Sequence, residues 1–111
     1  MPEISDETKN LVEEFQNYQQ QLQSLMMQKE TLKLQNIEIE RAVEELDTTK
    51  EKKAYKITGN VMISKPVEEL KKELNETKEA IEIKLKSYEK MEEKFNSRLK
   101  ELQTKLKDVM K

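Results

Sequence analysis

The sequence predicts a mainly α fold, a long antiparallel two-helix coiled coil joined by one β-hairpin that contributes to an oligomeric β-barrel. Three observations predict it. Two heptad stripes occupy most of the chain, a short stretch of alternating apolar and polar residues separates them, and the only glycine lies in that stretch. The expected organisation is a single domain over residues 1–111, with helix 1 at about 6–47, a hairpin at about 54–64 and helix 2 at about 66–109.

Helix 1 is justified by Leu11, Phe15, Tyr18, Leu22, Leu25, Lys29, Leu32, Asn36, Ile39, Val43 and Leu46, which follow a strict 4-3 alternation in which only Lys29 and Asn36 are charged or amide residues. Ser5 or Asp6 can cap its free amides, and Glu7 suits the positive end of the helix dipole. Such a helix spans roughly 60 Å at 1.5 Å per residue. Beyond it, Asp47 to Lys53 is polar and ends the stripe. Lys50, Lys52, Lys53 and Lys56 surround Glu51 and read as a solvated collar rather than a phosphate site.

Ala54-Tyr55-Lys56-Ile57-Thr58 alternates like a half-buried strand, Gly59-Asn60 suits a two-residue turn, and Val61-Met62-Ile63 returns. Pro66 fits the first turn of helix 2, with Ser64 or Lys65 as cap and Glu68 and Glu69 at the positive end. The second stripe takes Val67, Leu70, Leu74, Thr77 and Ile81, then Leu85, Tyr88, Glu92, Phe95, Leu99, Leu102, Leu106 and Val109. The step from Ile81 to Leu85 inserts a stutter that should locally unwind the supercoil.

Folding the helices back antiparallel suggests a register in which paired numbers total 113. It sets Leu46 by Val67, Ile39 by Leu74, Leu32 by Ile81, Lys29 by Lys84, Tyr18 by Phe95 and Leu11 by Leu102. Asn36 then meets Thr77, where a hydrogen bond would specify the register at some cost in stability.

Composition narrows the function. With 40% charged and 34% hydrophobic residues there is too little apolar material for a broad core, whereas a narrow seam needs only its a and d positions. Disorder is the competing reading of high charge, but disordered chains do not sustain a heptad over so many turns. Against 23 acidic residues stand 21 basic ones, a net charge of −2 that offers no field to concentrate nucleic acid. No apolar run is long enough for a membrane span, and Met1 to Asp6 lacks the character of a signal peptide, so a cytoplasmic protein without membrane partners is expected. Cysteine and histidine are both absent. With neither residue, no Gly-rich phosphate loop and no globular pocket, the expectation is no enzyme, no metal site and no cofactor. Carboxylate pairs such as Glu44-Glu45 and Glu92-Glu93 read as solvated helix faces.

The bend implies partners. An isolated two-stranded hairpin is marginal in water and exposes unpaired edges. Tyr55, Ile57, Val61, Met62 and Ile63, with Gly59 at the turn, are the candidate assembly residues, their apolar faces covered when strands from several chains close a barrel. The alternative is a hairpin that caps only its own helices. Where the termini meet, Ile4, Leu11, Val12, Leu106, Val109 and Met110 are either the last, fraying seam layer or an adaptable hydrophobic contact surface.

Tyr55-Lys56-Ile57-Thr58-Gly59-Asn60-Val61-Met62-Ile63 between heptad helices of equal length resembles the hairpin of the beta-class subunits of the prefoldin (GimC) family. Tyr18-Gln19-Gln20-Gln21-Leu22, Gln28-Lys29 and Ala42-Val43-Glu44-Glu45-Leu46 are similar as well. The resemblance implies a hexamer of two alpha and four beta subunits in which hairpins build a double β-barrel and the coiled coils hang from it. It further implies a chaperone that holds unfolded polypeptides at the coiled-coil tips and delivers them, without ATP, to a group II chaperonin. On that template Tyr55, Ile57, Gly59, Val61 and Ile63 serve assembly and the terminal apolar residues serve clients. The lysine-rich lead-in from Thr48 to Lys53 departs from the acidic or neutral one expected of the family, which bears on the choice of partner subunit. A coiled-coil tether or scaffold subunit is the rival reading; it explains the helices but not a hairpin rich in Tyr, Ile and Val.

Overall fold

A computed structural model describes residues 5–109. The element order is α1 (Asp6–Thr48), β1 (Lys53–Thr58), β2 (Val61–Pro66) and α2 (Val67–Val109). The chain divides into two compact units, Met1–Glu30 with Lys86–Lys111, and Thr31–Leu85. Each contains an α1 segment and an α2 segment; we call them the terminal unit and the hairpin unit.

Helix α1 starts on Ser5, whose Oγ accepts from the Thr8 amide at 3.2 Å while its carbonyl accepts from the Lys9 amide at 3.0 Å. Ser5 is thus the cap, and Asp6 and Glu7 lie in the first turn, where negative charge is favourable. The helix closes through Thr48 and Thr49, the Thr48 hydroxyl and the Thr49 amide both donating to the Glu45 carbonyl. The start of α2 differs from the sequence expectation. Pro66 is the last residue of β2, and the Val67 amide donates to the Lys52 carbonyl at 2.9 Å, a backbone clasp in place of a Ser64 or Lys65 cap.

Strands β1 and β2 pair antiparallel from Lys53↔Pro66 to Thr58↔Val61. Gly59 has φ 60° and among the described residues no other has positive φ, so the turn carries its left-handed residue at the first central position, as a II′ turn requires. Because strand side chains alternate, Ala54, Lys65, Lys56 and Ile63 share one face, and Tyr55, Ser64, Ile57 and Met62 share the other.

In the terminal unit the two helix segments pair antiparallel through an edge-to-face contact of Tyr18 and Phe95, with ring centroids 5.7 Å apart, a pair the expected register places together. Arg98 donates through Nε and Nη2 to Glu14 Oε1 at 3.0 and 2.6 Å, and Lys29 Nζ donates to Glu92 Oε2 at 2.9 Å. Two of the polar interruptions in the stripes, Lys29 and Glu92, thereby satisfy each other. In the hairpin unit Lys71 Nζ reaches Asp47 at 2.9 Å and Lys78 Nζ reaches Glu40 at 3.3 Å. Lys71 and Lys78 each meet a residue five positions from the one the expected register sets opposite them, and Lys29 meets Glu92 rather than the expected Lys84, eight positions away.

The phase of α2 also differs from the expected stripe. Thr77 is exposed and its hydroxyl donates to the Glu73 carbonyl of its own helix, whereas Lys78 is partly covered. Lys71, Leu74, Lys78, Ile81, Leu85, Tyr88, Glu92, Phe95, Leu99, Leu102 and Leu106 alternate by three and four without a break, and every one is buried or partly covered. No stutter is needed between Ile81 and Leu85. The expected Asn36–Thr77 hydrogen bond is also absent, and among the described residues Asn36 Oδ1 is the buried side-chain oxygen without a partner. Among the described residues the buried apolar positions are Val67, Leu70 and Ile81 in the hairpin unit and Leu25 and Leu102 in the terminal unit, where Thr8 is buried as well.

Candidate assembly face and client-contact residues

One glutamate ties both strands of the hairpin to the helix that follows them. Glu73 of α2 accepts from Lys65 of β2 at 2.6 Å and lies 3.6 Å from Lys56 of β1, so a single carboxylate ties both strands to the helix. The hydrogen bond from Lys65 holds the Glu73 carboxyl below its ordinary value, and the same bond raises the Lys65 ammonium above its own. Lys56 and Lys65 belong to one strand face, which is therefore the face turned to the helices. Behind them Ala42, Leu46, Ala54, Leu70 and Leu74 line an apolar groove of about 440 Å³.

The opposite face carries Tyr55, Ile57 and Met62, exposed to 66%, 72% and 63%. Val61 and Ile63, on the helix-side face, are exposed too, beyond the reach of the helix ends. The structure therefore brings the sequence-derived assembly residues together on one small ribbon, with Gly59 at its turn. Tyr55, Ile57 and Met62, uncovered side by side on one strand face, form the patch expected of an interaction site.

At the terminal unit Leu11, Val12 and Leu106 are partly covered and Val109 is 47% exposed. Ile4 and Met110 lie outside the described residues. Sequence reasoning missed Glu73, Lys71 and Lys78, because charged residues on a charged helix carry no mark that singles them out. A stronger use of the heptad would have found the two lysines, since both keep the period that Thr77 breaks. Among the described residues no helix is long and apolar enough to cross a membrane.

Paired helices that cover their own seam, joined by strands that leave their apolar side chains bare, define a coiled-coil subunit built to join others. The chain belongs to the prefoldin family: the family profile described as "Prefoldin subunit" matches residues 9–111. Prefoldin subunit beta of Archaeoglobus fulgidus is 36% identical over 111 residues, covering 99% of this chain and 96% of the relative. That of Methanocella arvoryzae is 39% identical over 72 residues, 64% of this chain and 57% of the relative. The crystal structure of the prefoldin beta subunit from Thermococcus strain KS-1 superposes with a TM-score of 0.84 at 28% identity, covering 98% of this chain and 96% of that one. The protein is accordingly a prefoldin-type chaperone subunit, and the family is not enzymatic.

Proposed function

We propose that this chain acts as a beta-class subunit of a cytoplasmic prefoldin, assembling as four copies with two alpha-class subunits. Its hairpin joins the β-barrel platform, and Tyr55, Ile57, Val61, Met62 and Ile63 are buried there. The observation that carries this reading is the bare Tyr55-Ile57-Met62 face on a chain that covers its helical seam. Burying such side chains contributes on the order of 25 cal/mol per Å² of apolar surface, a driving force the isolated hairpin leaves unused.

The assembled complex holds unfolded polypeptides at the ends of the helices and passes them to a group II chaperonin without ATP. Leu11, Val12, Leu106 and Val109, with Ile4 and Met110, supply the apolar contacts. Partial cover suits weak, reversible binding of varied clients better than a rigid pocket does. The test is a variant carrying Val12→Ser and Val109→Ser, assembled with an alpha-class subunit and assayed for suppression of the aggregation of a chemically denatured protein. Assembly is expected to be intact and suppression reduced; undiminished suppression would remove the client role from these residues.

A further inference from the structure

The residues leading into the hairpin carry a charge the rest of the chain does not. From Thr48 to Pro66 there are five lysines and a single acidic residue, Glu51, although the chain as a whole has a net charge of −2. Four carboxylates that flank this segment are engaged. Asp47 and Glu68 pair with Lys71, and Glu69 and Glu73 pair with Lys65, Glu73 also approaching Lys56. Lys50, Lys52 and Lys53 are exposed and among the described residues have no ion pair or hydrogen bond from their ammonium groups.

The backbone fixes the placement of two of them. The Lys52 carbonyl is clasped by the Val67 amide, and Lys53 opens β1 opposite Pro66. Strand alternation puts Lys53 on the face of Tyr55 and Ile57, the face turned away from the helices. Lys53, an unpaired cation, thus shares the face of the apolar patch at the open end of the hairpin, and Lys50 and Lys52 precede it in the chain.

We infer that Lys50, Lys52 and Lys53 form a cationic docking collar for carboxylates of the alpha-class subunit whose strand covers the Tyr55-Ile57-Met62 face. The inference rests on the assembly reading above and adds the chemistry of the partner. Apolar and cationic residues sit side by side here, and a protein strand with acidic flanks answers both. A phosphate backbone answers only the charge, and the acidic remainder of the chain repels it. Exposed charges at the edge of an interface act chiefly on encounter rate and partner choice, and their effect is screened by salt. The collar therefore selects which subunit docks beside this chain, while the apolar face holds it.

The test compares three full-length proteins mixed with the cognate alpha-class subunit: the native chain, a collar variant (Lys50→Glu, Lys52→Glu, Lys53→Glu) and a control (Lys90→Glu, Lys94→Glu, Lys100→Glu) of equal net charge. At roughly 50 mM salt the collar variant is expected to assemble about thirtyfold more weakly, and the control within about threefold of native; at roughly 500 mM salt the difference largely closes. Helical circular dichroism verifies folding. Should the collar variant unfold, the Lys→Gln triple replaces it, with an expected loss of about fivefold. Equal losses in collar and control, or none in the collar variant, overturn the collar and leave the assembly reading standing. A native chain that fails to join the alpha-class subunit overturns both. Native binding to a DNA duplex that the collar variant loses, with subunit assembly unchanged, overturns the proposal in favour of a polyanion.

Discussion

Ile57 and Ile81 have the same side chain and belong to the same unit, yet one is 72% exposed and the other 6%. Ile81 lies on a helix whose heptad brings a partner helix over it; Ile57 lies on a two-stranded ribbon whose outer face has no layer to meet. The difference separates two kinds of apolar residue. Those on the seam specify how this chain folds, and those on the hairpin are left for the partner that the proposed assembly supplies.

The sharpest way to break that comparison is to put a charge at each position. Ile57→Asp is expected to abolish assembly with an alpha-class subunit while leaving the helical signal of the chain unchanged, because the carboxylate stays in water until a partner buries it. Normal assembly of that variant would mean the hairpin face is not the contact. A smaller effect comes from truncation. Ile81→Ala should cost about 2–4 kcal/mol of folding stability in urea titrations, and Ile57→Ala within about 0.5 kcal/mol, the contrast expected between a seam and a surface residue.

A third prediction concerns the flaw in the seam. Asn36 Oδ1 is buried without a partner, and the threonine expected to satisfy it bonds to its own helix instead. Asn36→Leu should raise stability by about 1 kcal/mol, since it removes a buried acceptor and adds apolar contact. A decrease would show that the amide has a satisfying partner in solution.

The smallest effect is that of pH on the Glu73 tie. Its carboxyl titrates below the ordinary 4.5, so its contribution is fully present above that value and lost as pH falls through the lowered folded-state value. The melting temperature should fall on acidification below pH 4.5, and Glu73→Gln should flatten part of that slope. An identical slope in the variant would assign the acid sensitivity to other pairs, Glu101 with Arg98 among them.

The same contrast explains what was legible in the sequence. Helix identity and the hairpin were readable because Leu11 to Leu46 keep their period and because Gly59-Asn60 sits between alternating runs. The bareness of the hairpin's apolar side chains was readable for a related reason: a strand that alternates apolar residues needs a covering layer, and the chain offers none. The phase of α2 was not readable in the same way. Lys71 and Lys78 look solvated by residue type, but their aliphatic stems lie along the seam while their ammonium groups reach Asp47 and Glu40. Taking Thr77 in place of Lys78 produced an apparent stutter and set Asn36 opposite a residue that faces away from the seam. The Glu73 tie was hidden because it joins residues from three elements, a coincidence that only the fold creates.

The most direct measurement is the mass in solution, by light scattering, of this chain alone and after mixing with its alpha-class partner. The account predicts a defined complex of two alpha-class subunits and four copies of this chain. Monomers or dimers unchanged by mixing would contradict it and leave the bare hairpin face without a purpose in assembly.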